Sequence, residues 1–155
     1  MRFEFATATR IIFGAGTLKA VGLIAAEMGS RALVVIGASS ERAERLLDDL
    51  AAQGVGTATA TVPDEPTTHL VADGARQARQ AKCDLVIGFG GGSAIDAGKA
   101  VAALLTNGGE PLDYLEVVGR GQPLTKAPAP YIAIPTTAGT GSEVTKNAVL
   151  ASPEH

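Results

Sequence analysis

Apolar positions along this chain follow two rhythms that alternate with one another. Ala32-Leu33-Val34-Val35-Ile36, the stretch 84–88 and Tyr131-Ile132-Ala133-Ile134 are short, nearly unbroken apolar runs, as expected of strands covered on both faces of a sheet. Residues 55–62 form a further, more polar strand candidate. Between these runs lie helical stripes. One spans about 17–28 and ends at Gly29. A second spans about 41–53, with Leu46, Leu47 and Leu50 on one side and Gly54 past its end. Pro63 and Pro66 mark a loop, after which Thr67 or Thr68 caps a helix reaching about residue 81. A fourth helix runs from about Ser93 to Thr106. At the start, Phe3 and Phe5 alternate with Arg2 and Glu4, and Arg10-Ile11-Ile12-Phe13 follows. This predicts an edge strand or hairpin before Gly14 and Gly16 turn the chain. No repeat or low-complexity tract interrupts the order. The prediction is a doubly wound, mainly parallel α/β sheet of Rossmann-like type with an N-terminal edge strand or hairpin.

Length and charge narrow the picture. The 155 residues suit one domain over 1–155 with a sizeable core. A net charge of -3 with mixed signs gives no basic stripe, so no nucleic-acid partner is expected. Cys83 is the single cysteine; it cannot close an internal disulfide and reads as a packed thiol in a reducing compartment. Residues 1–15 lack the basic-then-apolar order of a signal peptide. The longest uncharged stretch, 127–142, is broken by Pro128, Pro130, Pro135, Gly139 and Gly141, so no membrane span is expected. A cytoplasmic protein is the expectation.

Chemistry concentrates in two segments. The first, Gly88-Phe89-Gly90-Gly91-Gly92-Ser93-Ala94-Ile95-Asp96, runs from a strand through a glycine turn into a helix. The first N–H groups of a helix have no intrahelical acceptor and sit at its positive end. Glycines let an anion approach them, and Ser93 offers a cap and a hydroxyl. The dinucleotide fingerprint G-x-G-x-x-G is not in its usual place, since Ser93 stands at the last glycine and the segment follows a later strand. A turn serving only close packing is the plain alternative, although each glycine costs about 0.5–1 kcal/mol relative to alanine. Asp96 is either a capping-box partner or an acceptor for a sugar or amide of the ligand. Lys99, one turn on, reads as a solvated helix charge, with a phosphate ligand as the alternative. The second segment, Pro135-Thr136-Thr137-Ala138-Gly139-Thr140-Gly141-Ser142-Glu143-Val144-Thr145, places five hydroxyls and two glycines beyond a strand's carboxyl end. Open α/β sheets bind ligands there. A threonine-rich turn bonding its own backbone is the alternative.

Gly90-Gly91-Gly92-Ser93-x-x-Asp96-x-x-Lys99-Ala100 and the segment 135–145 resemble the paired signatures of the iron-containing (group III) alcohol dehydrogenases. Phe13-Gly14-x-Gly16 and Pro66-Thr67 also fit. The resemblance spans essentially the whole chain. It implies the N-terminal NAD(P)-binding fold shared by those enzymes and dehydroquinate synthase, followed in the family by a helical C-terminal metal-binding domain that this chain lacks. It also implies that Gly91, Gly92 and Ser93, with Gly90, hold a pyrophosphate. Asp96, Thr136, Thr137, Thr140 and Ser142 then line the cofactor cleft, and Val149 touches the cofactor. The implied reaction is hydride transfer between NAD(P) and a small alcohol or aldehyde, with Fe2+ or Zn2+ as Lewis acid in the full-length family.

Two departures from the family pattern bear on function. NAD-specific members carry an acidic residue at the end of the 32–36 strand, where this chain has Gly37-Ala38-Ser39-Ser40. A carboxylate there accepts bonds from a ribose 2′-hydroxyl and repels a 2′-phosphate. Gly37 removes that repulsion, and Ser39, Ser40 and Arg42 supply donors and charge. NADP(H) is therefore expected to bind at least as well as NAD(H), unless Gly37 is only a turn and Arg42 only solvated. The family's metal ligands, one Asp and three His, fall beyond the matched region, and the chain holds only His69 and His155. No metal site and no catalytic residue is expected here, and no turnover by the chain alone. A metal-independent reductase of maleylacetate reductase type and a non-catalytic nucleotide-binding or assembly module remain the other readings. A homo-oligomer formed through the Phe3/Phe5 edge is expected from the exposed strand.

Overall fold

The computed structural model describes residues 7–37 and 41–153. Four strands, β1 (Arg31–Ile36), β2 (Gly56–Thr61), β3 (Leu85–Gly90) and β4 (Tyr131–Pro135), form a parallel sheet in the order β2-β1-β3-β4. A short 3-10 turn, Thr17–Ala20, leads into α1 (Val21–Met28). The crossovers are α2 (Glu41–Ala52) after β1, α3 (Thr68–Gln80) after β2 and α4 (Gly92–Asn107) after β3. A single turn of helix, α5 (Pro111–Tyr114), lies in the long connection to β4. From β1 the chain first winds outward to β2, then returns to the other side for β3 and β4. The reversal makes a topological switch point at the carboxyl ends of β1 and β3.

The period of two along each strand explains why both faces are covered. Leu33 and Val35 of β1 pack with Val86 against Val71, Ala75 and Ala78 of α3 and Ala97 and Val101 of α4. Their neighbours Ala32, Val34 and Ile36 point the other way, with Leu85, Ile87 and Phe89, onto Ala25 of α1 and Leu46 and Leu50 of α2. Thr67 caps α3, its Oγ1 accepting from Leu70 N at 3.2 Å. Asp84, just before β3, accepts from Ser30 N, Ser30 Oγ and Arg31 N at 2.7–3.0 Å, tying the α1–β1 turn to the neighbouring strand.

Several boundaries differ from expectation for identifiable reasons. Residues 10–13 are not a strand: residues 7–14 carry no ladder, and Ile11 and Phe13 are 64% and 99% exposed. Among the described residues no strand pairs with that segment, while Phe3 and Phe5 lie outside the described residues. β3 continues to Gly90, and α4 begins at Gly92 with Gly91 as its N-cap residue, so Ser93 is inside the helix rather than its cap. No helix among the described residues is long and apolar enough to cross a membrane.

Candidate functional site

The site grows from the switch point. Gly90 ends β3 at φ 153°, a backbone that side chains rarely adopt. A Cβ there would stand 2.8 Å from Ala94 Cβ and 3.1 Å from Gly37 N. Gly37 itself donates to Phe89 O at 3.0 Å, continuing the β1–β3 ladder one residue past β1. The glycines at the two strand ends are thus pressed together beside the start of α4. Ile95 N donates to Gly91 O at 3.1 Å, and no side chain caps the helix. Because the turn is only one residue long, Ser93 falls at the second helical position, half-buried, and its hydroxyl has no capping role.

The threonine–glycine segment closes over this start. Thr136 N donates to Gly90 O at 2.8 Å. A Cβ on Gly91 would lie 3.3 Å from Thr137 Oγ1. One on Gly92 would lie 3.2 Å from Thr140 Cγ2 and 3.3 Å from Ser142 Oγ. The two candidate segments therefore meet, and a side chain at either glycine would fill the gap between them. Gly141, at φ 68°, turns the chain into a short 3-10 segment, Ser142–Val144. Ser142 N donates to Thr140 Oγ1 at 3.4 Å and Thr145 Oγ1 donates to Ser142 O at 3.4 Å. The segment does bond its own backbone, as one reading held, while Thr136, Thr137 and Thr140 stay exposed beside the glycines.

Asp96 and Lys99 differ most from their sequence readings. Asp96 is 8% exposed and sits at the fifth position of α4, too far along to cap it. Its Oδ2 accepts from Val149 N at 3.1 Å, and Oδ1 lies 2.9 Å from Lys99 Nζ as an ion-pair contact without hydrogen-bond geometry. Lys99 is not a solvated charge: its side chain is 12% exposed. Nζ donates to Ser142 O at 2.9 Å, to Thr145 O and Oγ1 at 3.3 Å each, and to Asn147 O. The sequence signal for this was present. Lys99 stands three residues from an acid on a helix stretch otherwise made of Ala94, Ile95, Ala97, Gly98 and Ala100, which is apolar all round and so belongs to a buried helix. Val149 is brought to the site by its amide, while its side chain is 75% exposed on the rim.

Tyr131 supports the same helix from beneath. Its phenol donates to Ile95 O at 2.8 Å. Burial, and then the Asp96 carboxylate, hold its pKa far above the ordinary tyrosine value, so it remains a neutral donor. Gly37 stands at the switch point as expected; Ser39 and Ser40 lie outside the described residues. Arg42 is exposed in the first turn of α2, and His69 is exposed near the start of α3. Among the described residues, no group of three or more His, Cys, Asp or Glu is placed to hold a metal ion. The glycine cradle fits a diphosphate ligand, because its half-buried helix start offers N–H groups without an intrahelical acceptor and its two Cβ-free positions face Thr137, Thr140 and Ser142.

Comparison with known proteins agrees with this fold. The sequence profile of the iron-containing alcohol dehydrogenase family matches residues 8–155. A 4-hydroxybutyrate dehydrogenase of Cupriavidus necator is 42% identical over 109 residues, covering 70% of this chain and 28% of that protein. The sulfoacetaldehyde reductase of Bifidobacterium kashiwanohense, solved in complex with NAD+, superposes with a TM-score of 0.84 at 32% identity, over 99% of this chain and 41% of that one. The NADH-dependent butanol dehydrogenase of Thermotoga maritima gives 0.88 at 28% identity, over 99% of this chain and 39% of that one. The chain spans well under half the length of these relatives.

Proposed function

This chain belongs to the iron-containing alcohol dehydrogenase family, and from that premise we propose that it forms the cofactor-binding part of an oxidoreductase moving hydride between NAD(P) and an alcohol or aldehyde. The observation that carries this reading is the meeting of Gly91 and Gly92 with Thr137, Thr140 and Ser142 across the start of α4. The N–H groups of Gly92, Ser93 and Ala94 and the Ser93 hydroxyl would hold the pyrophosphate, helped by the positive end of the helix. Thr136, Thr137 and Thr140 would line the cleft, with Val149 on its rim. Asp96 contributes through the protein, since both of its oxygens already meet partners.

A nicotinamide cofactor, when bound, supplies the hydride carrier; a divalent metal supplies polarisation of the alcohol oxygen. The described residues provide orientation and anion binding, and no cluster for that metal. The chain by itself is therefore proposed to bind cofactor without turning over alcohol. Gly37 supports acceptance of NADP(H) as well as NAD(H), since no carboxylate stands at that position to repel a 2′-phosphate. Titration of the chain with NADH, NADPH and ADP-ribose, followed by calorimetry and by nicotinamide fluorescence, tests the reading. Saturable binding of all three supports it; absence of binding overturns it. We also propose self-association through the N-terminal segment, supported by the exposure of Ile11, Ile12 and Phe13. Unchanged size-exclusion behaviour of an Ile11→Ser/Phe13→Ser variant would argue against it.

A further inference from the structure

Residues 142–149 make one wall of the cleft with almost no regular structure. From the last residue of the 3-10 segment onward, Val144, Thr145, Lys146 and Asn147 are all exposed. A segment so poor in buried apolar contacts has little to order it. It is nevertheless tied at several places. Near its start, Ser142 packs against Gly92. Beyond it, Ala151 N donates to Pro66 O at 2.9 Å and Ala151 O accepts from Thr68 N at 3.0 Å, ending the strap on the β2–α3 loop. Between these points Thr7 Oγ1 donates to Val144 O at 3.2 Å, and among the described residues Lys99 and Asp96 make the other long-range ties.

The middle tie has an unusual composition. The carbonyls of Ser142, Thr145 and Asn147 all converge on one ammonium. Three carbonyl dipoles directed at one point repel one another unless a cation stands there. Asp96 does two things at once. It balances the buried Lys99 charge through Oδ1 and holds Val149 N through Oδ2. Removing one partner alone would leave an uncompensated buried charge.

We propose that Lys99 is a positioning residue, a buried cationic latch that with Asp96 fixes residues 142–149 against α4 and so preorganises the cofactor cleft. It touches no cofactor: its amino group is already committed to the strap. This rests on the reading that the cleft takes a nicotinamide dinucleotide. Without the latch, the strap keeps its end contacts and the exposed Thr7–Val144 hydrogen bond, and cofactor binding must itself supply the remaining ordering.

The test uses the double variant Asp96→Asn/Lys99→Met, which removes both charges and leaves neither orphaned. Its circular dichroism and melting temperature should remain close to those of the parent chain. The Kd for NADH and NADPH should rise about tenfold or more, because ordering is now charged to binding. Amide exchange should quicken within 142–149 and not across β1 or β3. Lys99→Arg, which keeps the charge and several donors, should hold Kd within about threefold of the parent. Equal affinity in the double variant and the parent overturns the latch while leaving the cofactor reading intact. A double variant that loses protection throughout the sheet makes the pair purely structural and also overturns the latch. A parent chain that binds neither dinucleotide overturns the cofactor reading, and the latch with it.

Discussion

Tyr131 on β4 reaches under α4 to donate a 2.8 Å hydrogen bond to the carbonyl of Ile95, and two glycines make room for it. A Cβ on Gly88 would collide with the Tyr131 hydroxyl, and one on Gly98 would stand 2.9 Å from ring atom Cε2. The helix that presents the glycine cradle is therefore docked on its sheet by one phenol threaded between two missing side chains.

This arrangement predicts a distinctive pattern of coupling. Gly88→Ala and Gly98→Ala should each destabilise by about 1–3 kcal/mol, the usual cost of overpacking. Tyr131→Phe should cost about 0.5–1.5 kcal/mol for the lost hydrogen bond. In double variants, Tyr131→Phe should relieve much of the Gly88→Ala penalty, because the hydroxyl is the clashing atom. It should relieve the Gly98→Ala penalty less, since the ring edge remains. Denaturant unfolding of the six proteins reads the two interaction energies directly.

Asp84 sets an acid limit on stability. Burial is the largest single influence and raises its pKa, but the hydrogen bonds from the Ser30 side chain and from the Arg31 and Ser30 amides together outweigh it and hold it below 3.8. A carboxyl whose folded pKa is depressed contributes stability above its unfolded pKa, and loses it as pH falls through the folded value. The chain should therefore lose stability below about pH 4, and Asp84→Asn should flatten that slope. The group is largely exposed, so screening limits the effect to about 1 kcal/mol or less. An unchanged slope between pH 5 and the acid transition, about pH 2–3, would remove Asp84 from the explanation.

Cofactor choice should respond to a single carboxylate. A Cβ on Gly37 would lie 3.6 Å from Gly90 Cα, ordinary contact distance, so Gly37→Asp should fold. The added charge should weaken NADPH relative to NADH by about tenfold or more, through repulsion of the 2′-phosphate. Parallel titrations measure the ratio. A ratio that does not move would mean that the adenosine ribose lies elsewhere.

The cradle itself can be filled. Gly92→Ala puts a methyl group 3.2 Å from Thr140 Cγ2 and 3.3 Å from Ser142 Oγ, while removing a glycine from the first turn of α4. ADP-ribose affinity should fall while thermal stability holds, because the helix gain of up to about 1 kcal/mol offsets the tight contact. Ser93→Ala should weaken ADP-ribose by about tenfold or more, the worth of one hydrogen bond to a charged group. Retained affinity in both variants would place the phosphate site away from α4.

Much of this fold is legible in the sequence. The apolar runs 32–36, 84–88 and 131–134 correspond to β1, β3 and β4, and the glycine and proline punctuation located the helices within a few residues. Burial on both faces forces continuous apolar strands, so the pattern carries the layer order. The start of α4 was misplaced by one residue because Ser93 is a better capping residue than Gly91, yet the turn closes at Gly91. The strand expected at 10–13 failed for another reason, since pairing needs an edge that no local pattern supplies.

The composition of the cradle, the family signature and the alternation of strands and helices were determined by the sequence alone, because each depends on residues adjacent in the chain. What Asp96 and Lys99 do was not. Their roles depend on the carbonyls of residues 142, 145 and 147 and the amide of Val149, some 43 to 53 positions away. The same holds for Gly88 and Gly98, whose lack of a side chain makes sense only once Tyr131 lies between them. Local periodicity shows which face of a helix is buried. Only the folded chain decides what it is buried against, and here that turned an apparent surface lysine into the centre of the site's wall.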